Sequence, residues 1–324
     1  MPTITLQDIQ QAAERLRDVA QLTPVLTSPE LDERSGATVF LKCENFQRTG
    51  SFKFRGAYNA VSLLDASTAG RPVVTVSSGN HGQALALAAR LHHRTAHVFA
   101  PGAMTERKRR AILSYGATVH EAPTRTAAEQ GAQDLTAHGE AILIHPFNSR
   151  EVIAGQGTCA LELLDQRQDL DVLLAPVGGG GLLSGTCVAA HALRPCLEVY
   201  ACEPNGALDA LYSVREHRIV PMADPRTMAD GLRSSLGPLT LEILERQLAG
   251  FFTVDEAEIV TALRFAVEDL RLIIEPSSAV ALAPVLRGES CLRSRRVGVV
   301  ITGGNIDSDL LCHVLAEGAP GGAR

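Results

Sequence analysis

The stretch Val172-Leu173-Leu174-Ala175-Pro176-Val177-Gly178-Gly179-Gly180-Gly181-Leu182-Leu183-Ser184-Gly185 decides the architecture of this chain. A short apolar run leads into four consecutive glycines, and a helical pattern follows from Leu183 to Ala192. Glycine brings no side chain and loses the most backbone entropy on folding, so four in a row are not a packing choice; they expose N–H groups. Strand, glycine loop and helix together place those amides and the positive end of the helix dipole around an anion, a phosphate above all. The loop is neither G-x-x-x-x-G-K-[ST] nor a G-x-G-x-x-G opening a βαβ unit with an acidic residue at the expected distance, so it does not suggest a nucleotide. Its apolar, periodic flanks argue against a flexible linker.

Outward from that loop, short β-branched runs alternate with longer helical patterns, the signature of an α/β fold with parallel-type sheets and helices on both faces. Expected strands are Thr38–Leu41, Val73–Val76, Ala96–Phe99, Thr118–His120, Ile142–His145, Val172–Ala175, Val199–Cys202 and Val297–Ile301. Thr5-x-x-Asp8 reads as a capping box opening an amphipathic helix with Ile9, Ala12, Leu16 and Val19 on one face. No internal repeat is visible, and only the Gly/Ala/Pro tail after Glu317 reads as disordered.

Three further segments carry chemistry. In Ser51-Phe52-Lys53-Phe54-Arg55-Gly56-Ala57 a lysine is set between two phenylalanines. An ammonium beside apolar rings loses hydration, so its pKa falls and nucleophilic amine accumulates, as a Schiff-base lysine requires. Alone, the pattern is more often that of a lysine stem laid over rings with its head in water. In Val73-Val74-Thr75-Val76-Ser77-Ser78-Gly79-Asn80-His81-Gly82 a strand runs through a polar turn into an Ala/Leu helix, collecting donors at a helix N-terminus where a carboxylate can bind. Ser77 or Ser78 could also serve as a plain N-cap. In Val297-Gly298-Val299-Val300-Ile301-Thr302-Gly303-Gly304-Asn305 a buried-type strand ends in a hydroxyl, which can hydrogen-bond a ring nitrogen without forcing its protonation.

A reactive lysine, a phosphate cradle, a carboxylate turn and a hydroxyl for a heteroaromatic nitrogen describe pyridoxal 5′-phosphate with an amino-acid substrate. The chain resembles the serine/threonine dehydratases of fold type II, the tryptophan-synthase-β type, and within them stands close to the serine racemases. The likeness runs from Leu22-Thr23-Pro24-Val25-Leu26 to Gly303-Gly304-Asn305 and includes Lys42-Cys43-Glu44-Asn45-Phe46-Gln47, Ala154-Gly155-Gln156-Gly157-Thr158 and Glu275-Pro276-Ser277-Ser278. It implies a two-lobed enzyme, with a large cofactor-binding domain from residues 1–68 and 150–324 and a small mobile domain, 69–149, carrying the Ser-Ser-Gly-Asn-His loop. The chain stops soon after the Thr302 strand, which implies that the regulatory domain of biosynthetic threonine dehydratases is absent.

The resemblance also implies roles. Lys53 would hold the cofactor and act as base at the substrate α-carbon; Phe52 would pack on the ring; Asn80 would bond its phenolic oxygen; Gly178, Gly179, Gly180, Gly181 and Leu182 would hold its phosphate. Thr302, where the family usually has Ser or Cys, would face the ring nitrogen, and Glu275 would lie near the ring. Ser77, Ser78, Asn80 and His81 would receive the α-carboxylate, with Ser78 as the opposite-face acid if racemisation competes. Glu203, the Ala207 carbonyl and Asp209, in Glu203-Pro204-Asn205-Gly206-Ala207-Leu208-Asp209, would bind Mg, Mn or Ca.

The reaction implied is α,β-elimination from L-threonine, L-serine or a bulkier 3-hydroxy analogue, giving a 2-oxo acid and ammonia; the alternatives are a serine racemase or a 3-hydroxyaspartate dehydratase. Glu129, aligned with an arginine of the serine racemases, is expected to repel a second carboxylate and favour a monocarboxylate, with Arg125 one turn earlier as a possible substitute. A non-catalytic amino-acid sensor of the same fold would lack a chromophore on Lys53. A cysteine-synthase-like enzyme would usually carry Thr-Ser-Gly-Asn-Thr-Gly in place of Ser77–Gly82.

Composition agrees. At 324 residues, 45% hydrophobic and net charge −6, the chain can bury a large core. The densest basic run, Arg107-Lys108-Arg109-Arg110, reads as a solvated helix face, so no nucleic acid is expected. No apolar stretch approaches the roughly 18–20 residues of a membrane span, and Met1 to Asp8 lack a signal-peptide pattern. Seven scattered cysteines without C-x-x-C point to reduced, mostly buried thiols in a cytoplasm. A homodimer is expected by resemblance.

Overall fold

The computed structural model describes residues 4–102, 104–137, 139–221 and 223–316; the tail after Glu317, expected to be disordered, lies outside them. Ten strands form two sheets. In chain order they are β1 (Val25–Leu26), β2 (Thr38–Cys43), β3 (Val73–Val76), β4 (Ala96–Pro101), β5 (Thr118–Ala122), β6 (Ile142–Leu143), β7 (Val172–Pro176), β8 (Glu198–Pro204), β9 (Gly250–Val254) and β10 (Arg296–Ile301). The larger sheet runs β1-β2-β10-β7-β8-β9 and the smaller β5-β4-β3-β6. Every pairing is parallel except β1 with β2.

The central strands are apolar on both faces because helices cover both. Val172 and Leu174 of β7 join the core with the helices Glu256–Glu268 and Pro276–Leu286, while Leu173 and Ala175 join the core with Arg150–Gln166 and Gly181–Leu193. The first helix, Leu6–Leu16, opens with both bonds of the capping box between Thr5 and Asp8 and buries Ile9, Ala12 and Leu16. Val19 lies beyond its end and packs instead with the core of the smaller sheet.

All eight expected strands exist. β6 is shorter than expected, because after Leu143 only the Ile144 N–H still bonds Val74 before the chain turns at His145-Pro146. β1 and β9 go beyond the expected set: one is two residues long, and the other opens on a glycine. The smaller sheet falls inside residues 69–149, yet its core reaches across that boundary. Phe54, Ala57, Ala60 and Val61 of the helix Lys53–Ser62 pack with Val73 and Leu85.

Candidate active site

Lys53 begins its helix at the edge of a cavity of about 400 Å³ that brings the separate motifs together. Phe52, Lys53, Ser77 to His81, Gly178 to Leu182, Glu275 and Thr302 all line it. Desolvation lowers the Lys53 pKa to about 8, against a smaller upward pull from the Glu275 carboxylate. Its Nζ donates to the Pro146 carbonyl at 3.0 Å and lies 5.1 Å from the Phe52 ring centroid. The expected pair of phenylalanines is reduced to one: Phe54, one helical step on, turns into the core of the smaller sheet beside Tyr58.

The glycine run leaves β7 and enters the helix Gly181–Leu193 with Gly180 at φ +85°, a conformation L side chains rarely adopt. A side chain at Gly179 would enter the Phe147 ring, and one at Gly180 would meet Leu236 and Thr240 at 2.8 Å. Glycine is therefore demanded by packing as well as by amide exposure, contrary to the sequence expectation. The first amides of this helix have no intrahelical partner. They line the cavity as bare backbone, a fit for a phosphate.

The carboxylate turn is built differently from the expectation in one detail. The Ser77 hydroxyl accepts from the N–H groups of Gly79 and Gly82 at 3.2 and 3.1 Å, so it shapes the start of the helix Asn80–Leu91. Ser78 lines the cavity half-buried. His81 is buried, and desolvation holds its pKa down near 3. Its Nε2 lies 3.3 Å from the Ile144 carbonyl, which can only accept, so Nε2 carries the hydrogen. Nδ1 is left buried without a partner. Glu275 is buried at the N-terminus of Pro276–Leu286, and burial raises its pKa to about 7. Thr302 directly follows β10, its hydroxyl 2.9 Å from that of Ser278, a neutral pair suited to a heteroaromatic nitrogen.

Several residues at the cavity escaped sequence reasoning. The basic run is not simply a solvated face: Lys108 pairs with Asp230 at 2.5 Å and Arg107 donates to the Ile306 carbonyl, so two of the four cations cross from the smaller sheet's helices to the larger unit. Arg125, expected only as a substitute, lines the cavity whereas Glu129, expected to face the second carboxylate, does not, and the two are paired on the surface at 2.8 Å. Asn305 joins Asn80 to Thr49. Each pairing spans residues far apart in sequence or depends on which helix face points inward, and no local pattern signals that.

Away from the cavity, Glu203 and Asp209 are buried together with Ala207. Burial raises Glu203 to about 8 and Asp209 to about 6. Glu203 accepts the Ala210 and Leu211 N–H groups at 2.7 and 3.0 Å, which caps the helix Asp209–Glu216. Asp209 Oδ2 is buried with no partner. Two hard oxygen donors deprived of water, one of them orphaned, fit a divalent cation, although no group of three His, Cys, Asp or Glu assembles among the described residues.

A desolvated amine facing a cradle for phosphate is the arrangement of an enzyme that carries a carbonyl cofactor on lysine. The chain belongs to the family described as pyridoxal-phosphate dependent enzyme, which matches residues 16–303. It is 43% identical to a serine racemase of Dictyostelium discoideum, over 97% of this chain and 99% of that one. It is 41% identical to a beta-hydroxyaspartate dehydratase of Paracoccus denitrificans, over 95% and 98%. Among solved structures, a threonine deaminase of T.th. superimposes with a TM-score of 0.88 at 38% identity, covering 94% of this chain and 99% of that one. All seven cysteines are unbridged, four buried and three exposed. Among the described residues no helix is long and apolar enough to cross a membrane.

Proposed function

We propose that this chain is a pyridoxal-phosphate-dependent ammonia-lyase that converts a β-hydroxy amino acid, L-threonine, L-serine or a bulkier 3-hydroxy analogue, to a 2-oxo acid and ammonia. The observation that carries the reading is the desolvated Lys53 amine in one cavity with the glycine cradle and the Ser77–His81 turn. The dehydratase and deaminase names of the relatives support it. When bound, pyridoxal phosphate withdraws electrons from the substrate α-carbon.

The chain's own residues do the rest. Lys53 would hold the cofactor through Nζ and, as the free amine, would take the α-proton; a pKa near 8 suits a base working near neutral pH. Amides from Gly178 to Leu182 would hold the phosphate, Phe52 and Glu275 would flank the ring, Asn80 would bond its phenolic oxygen and Thr302 would face its nitrogen. Ser77, Ser78, Asn80 and His81 hold the α-carboxylate. His81, neutral at physiological pH with its ring hydrogen on the Ile144 carbonyl, does so through its backbone amide. Glu203, Asp209 and the Ala207 carbonyl hold a divalent cation that stabilises the fold. The segment 69–149 moves as a small lobe, and the enzyme works as a homodimer in the cytoplasm, in keeping with its unbridged thiols.

A second reading has an observation of its own. Arg125 lines the cavity, and a cation there could meet the second carboxylate of 3-hydroxyaspartate. Measuring 2-oxo acid and ammonia released from L-serine, L-threonine and 3-hydroxyaspartate tests both. Release from none of them would overturn the lyase assignment.

A further inference from the structure

We propose that Asn305 is a positioning residue that fixes which end of the Asn80 amide faces the cofactor; this rests on the pyridoxal-phosphate reading above. An asparagine side chain has a donor end and an acceptor end of nearly equal shape, so its partners decide which way it points. Here the decision starts from a backbone atom. The Thr49 carbonyl can only accept, and Asn305 Nδ2 lies 2.7 Å from it, so Asn305 presents its nitrogen there. The second hydrogen of that nitrogen meets Asn80 Oδ1 at 2.8 Å. Asn80 therefore turns its oxygen toward Asn305 and its nitrogen toward Glu275, 2.9 Å from both carboxylate oxygens. Taken from carbonyl to carboxylate, only one orientation sets each nitrogen of the series against an acceptor, and the second Asn80 Nδ2 hydrogen is left for the cofactor.

The backbone before Lys53 is shaped to hold this series. Thr49 sits at φ 60°, ψ 11°, a left-handed conformation that non-glycine residues adopt rarely and that persists where surroundings enforce it. Gly50 follows at φ 72°, and a Cβ there would lie 2.7 Å from Asn305 Oδ1, displacing the amide. The Gly50 carbonyl accepts from Gly304 N–H at 2.9 Å, which clamps the turn to the loop carrying Asn305. Asn80, Glu275 and Asn305 all line the cavity.

The consequence is chemical. A donor facing the cofactor's phenolic oxygen favours the anion, whereas an acceptor facing it favours retention of the proton. On a lysine-bound cofactor the two forms absorb in the visible and the near ultraviolet. Asn305→Asp keeps the size of the side chain but sets acceptors against Thr49 O and Asn80 Oδ1, which favours the turned-over Asn80 amide. Asn305→Ala removes the constraint without imposing the opposite.

The test compares wild-type holoenzyme with both variants by absorbance across pH, by borohydride trapping to count lysine-bound cofactor, and by separate kcat and KM. The expected result is cofactor on all three, absorbance moved toward the near ultraviolet in Asn305→Asp, and an intermediate spectrum in Asn305→Ala. In Asn305→Asp, kcat should fall on the order of 10–100-fold with a smaller change in KM, the scale of a lost supporting hydrogen bond. A wild-type spectrum and kcat in loaded Asn305→Asp would overturn the inference while leaving the cofactor assignment intact; should that variant not fold, the same result in Asn305→Ala overturns it. Failure of the wild type itself to take up cofactor would remove both.

Discussion

The Lys53 amine donates to the Pro146 carbonyl at 3.0 Å and so links the helix Lys53–Ser62 to the turn that follows β6. That carbonyl is presented by His145, whose Nδ1 accepts the Asn148 N–H at 2.9 Å and which burial keeps neutral, with a pKa near 4. The Lys53 amine is thus oriented from the smaller sheet while its helix opens beside the larger one.

Capture of pyridoxal phosphate by the apo-protein needs the neutral amine. With Lys53 near 8, the capture rate should rise about tenfold per pH unit below pH 8 and level off above it. The Glu275 carboxylate pulls that pKa upward, so Glu275→Gln should move the midpoint to lower pH. Stopped-flow absorbance against pH measures both; a midpoint near 10 in the wild type would show that the amine is hydrated.

In the metal-free protein, Asp209, Glu275 and Glu203 have pKa values raised to about 6, 7 and 8. Raised carboxylate pKa values mean that the folded state holds protons the unfolded state has lost. Stability should therefore fall as pH rises from about 6.5 to 8, by up to roughly 1.4 kcal/mol per pH unit for each such group, whereas below 6.5 the buried neutral His81 and His145 pull the other way. Mg²⁺ should flatten the slope by compensating Glu203 and Asp209. Melts in EDTA and in Mg²⁺ over this range check the sign, and superimposable curves would count against the cation.

Arg125 lines the cavity but is paired with Glu129, and the proposed substrate choice is expected to turn on it. Wild-type kcat/KM should favour a monocarboxylate. Glu129→Ala should free the guanidinium and raise kcat/KM for 3-hydroxyaspartate by up to about fivefold, the scale of one exposed ion pair. A wild-type preference for the diacid would show that the pair opens for it unaided.

Gly180→Ala should weaken both fold and cofactor binding. The left-handed φ alone costs about 1–3 kcal/mol in a non-glycine residue, and the new methyl group must displace Leu236 or Thr240. Thermal melts and a cofactor titration read the two effects separately.

Much of this site is legible in sequence because its parts are local. β7, the glycine run and the helix after it form one continuous stretch, and Lys53, Ser77–His81 and Thr302 each stand at an element boundary marked by polarity or glycine. What stays hidden depends on the fold. Phe54 and Phe52 flank the same lysine in sequence, but helical geometry sends Phe54 into another core. Lys108 finds Asp230 across 122 residues, and Asn305 finds Asn80 across 225. β9 opens on Gly250 and pairs with β8 along an edge, and Phe251-Phe252 alone does not announce a strand.

On the proposed function, Lys53 carries the cofactor. Borohydride reduction of the protein loaded with pyridoxal phosphate, followed by peptide mapping, should place the adduct on Lys53, and Lys53→Ala should fold, bind the cofactor weakly and release no 2-oxo acid. A reduced adduct on any other lysine, with elimination surviving in Lys53→Ala, would contradict it.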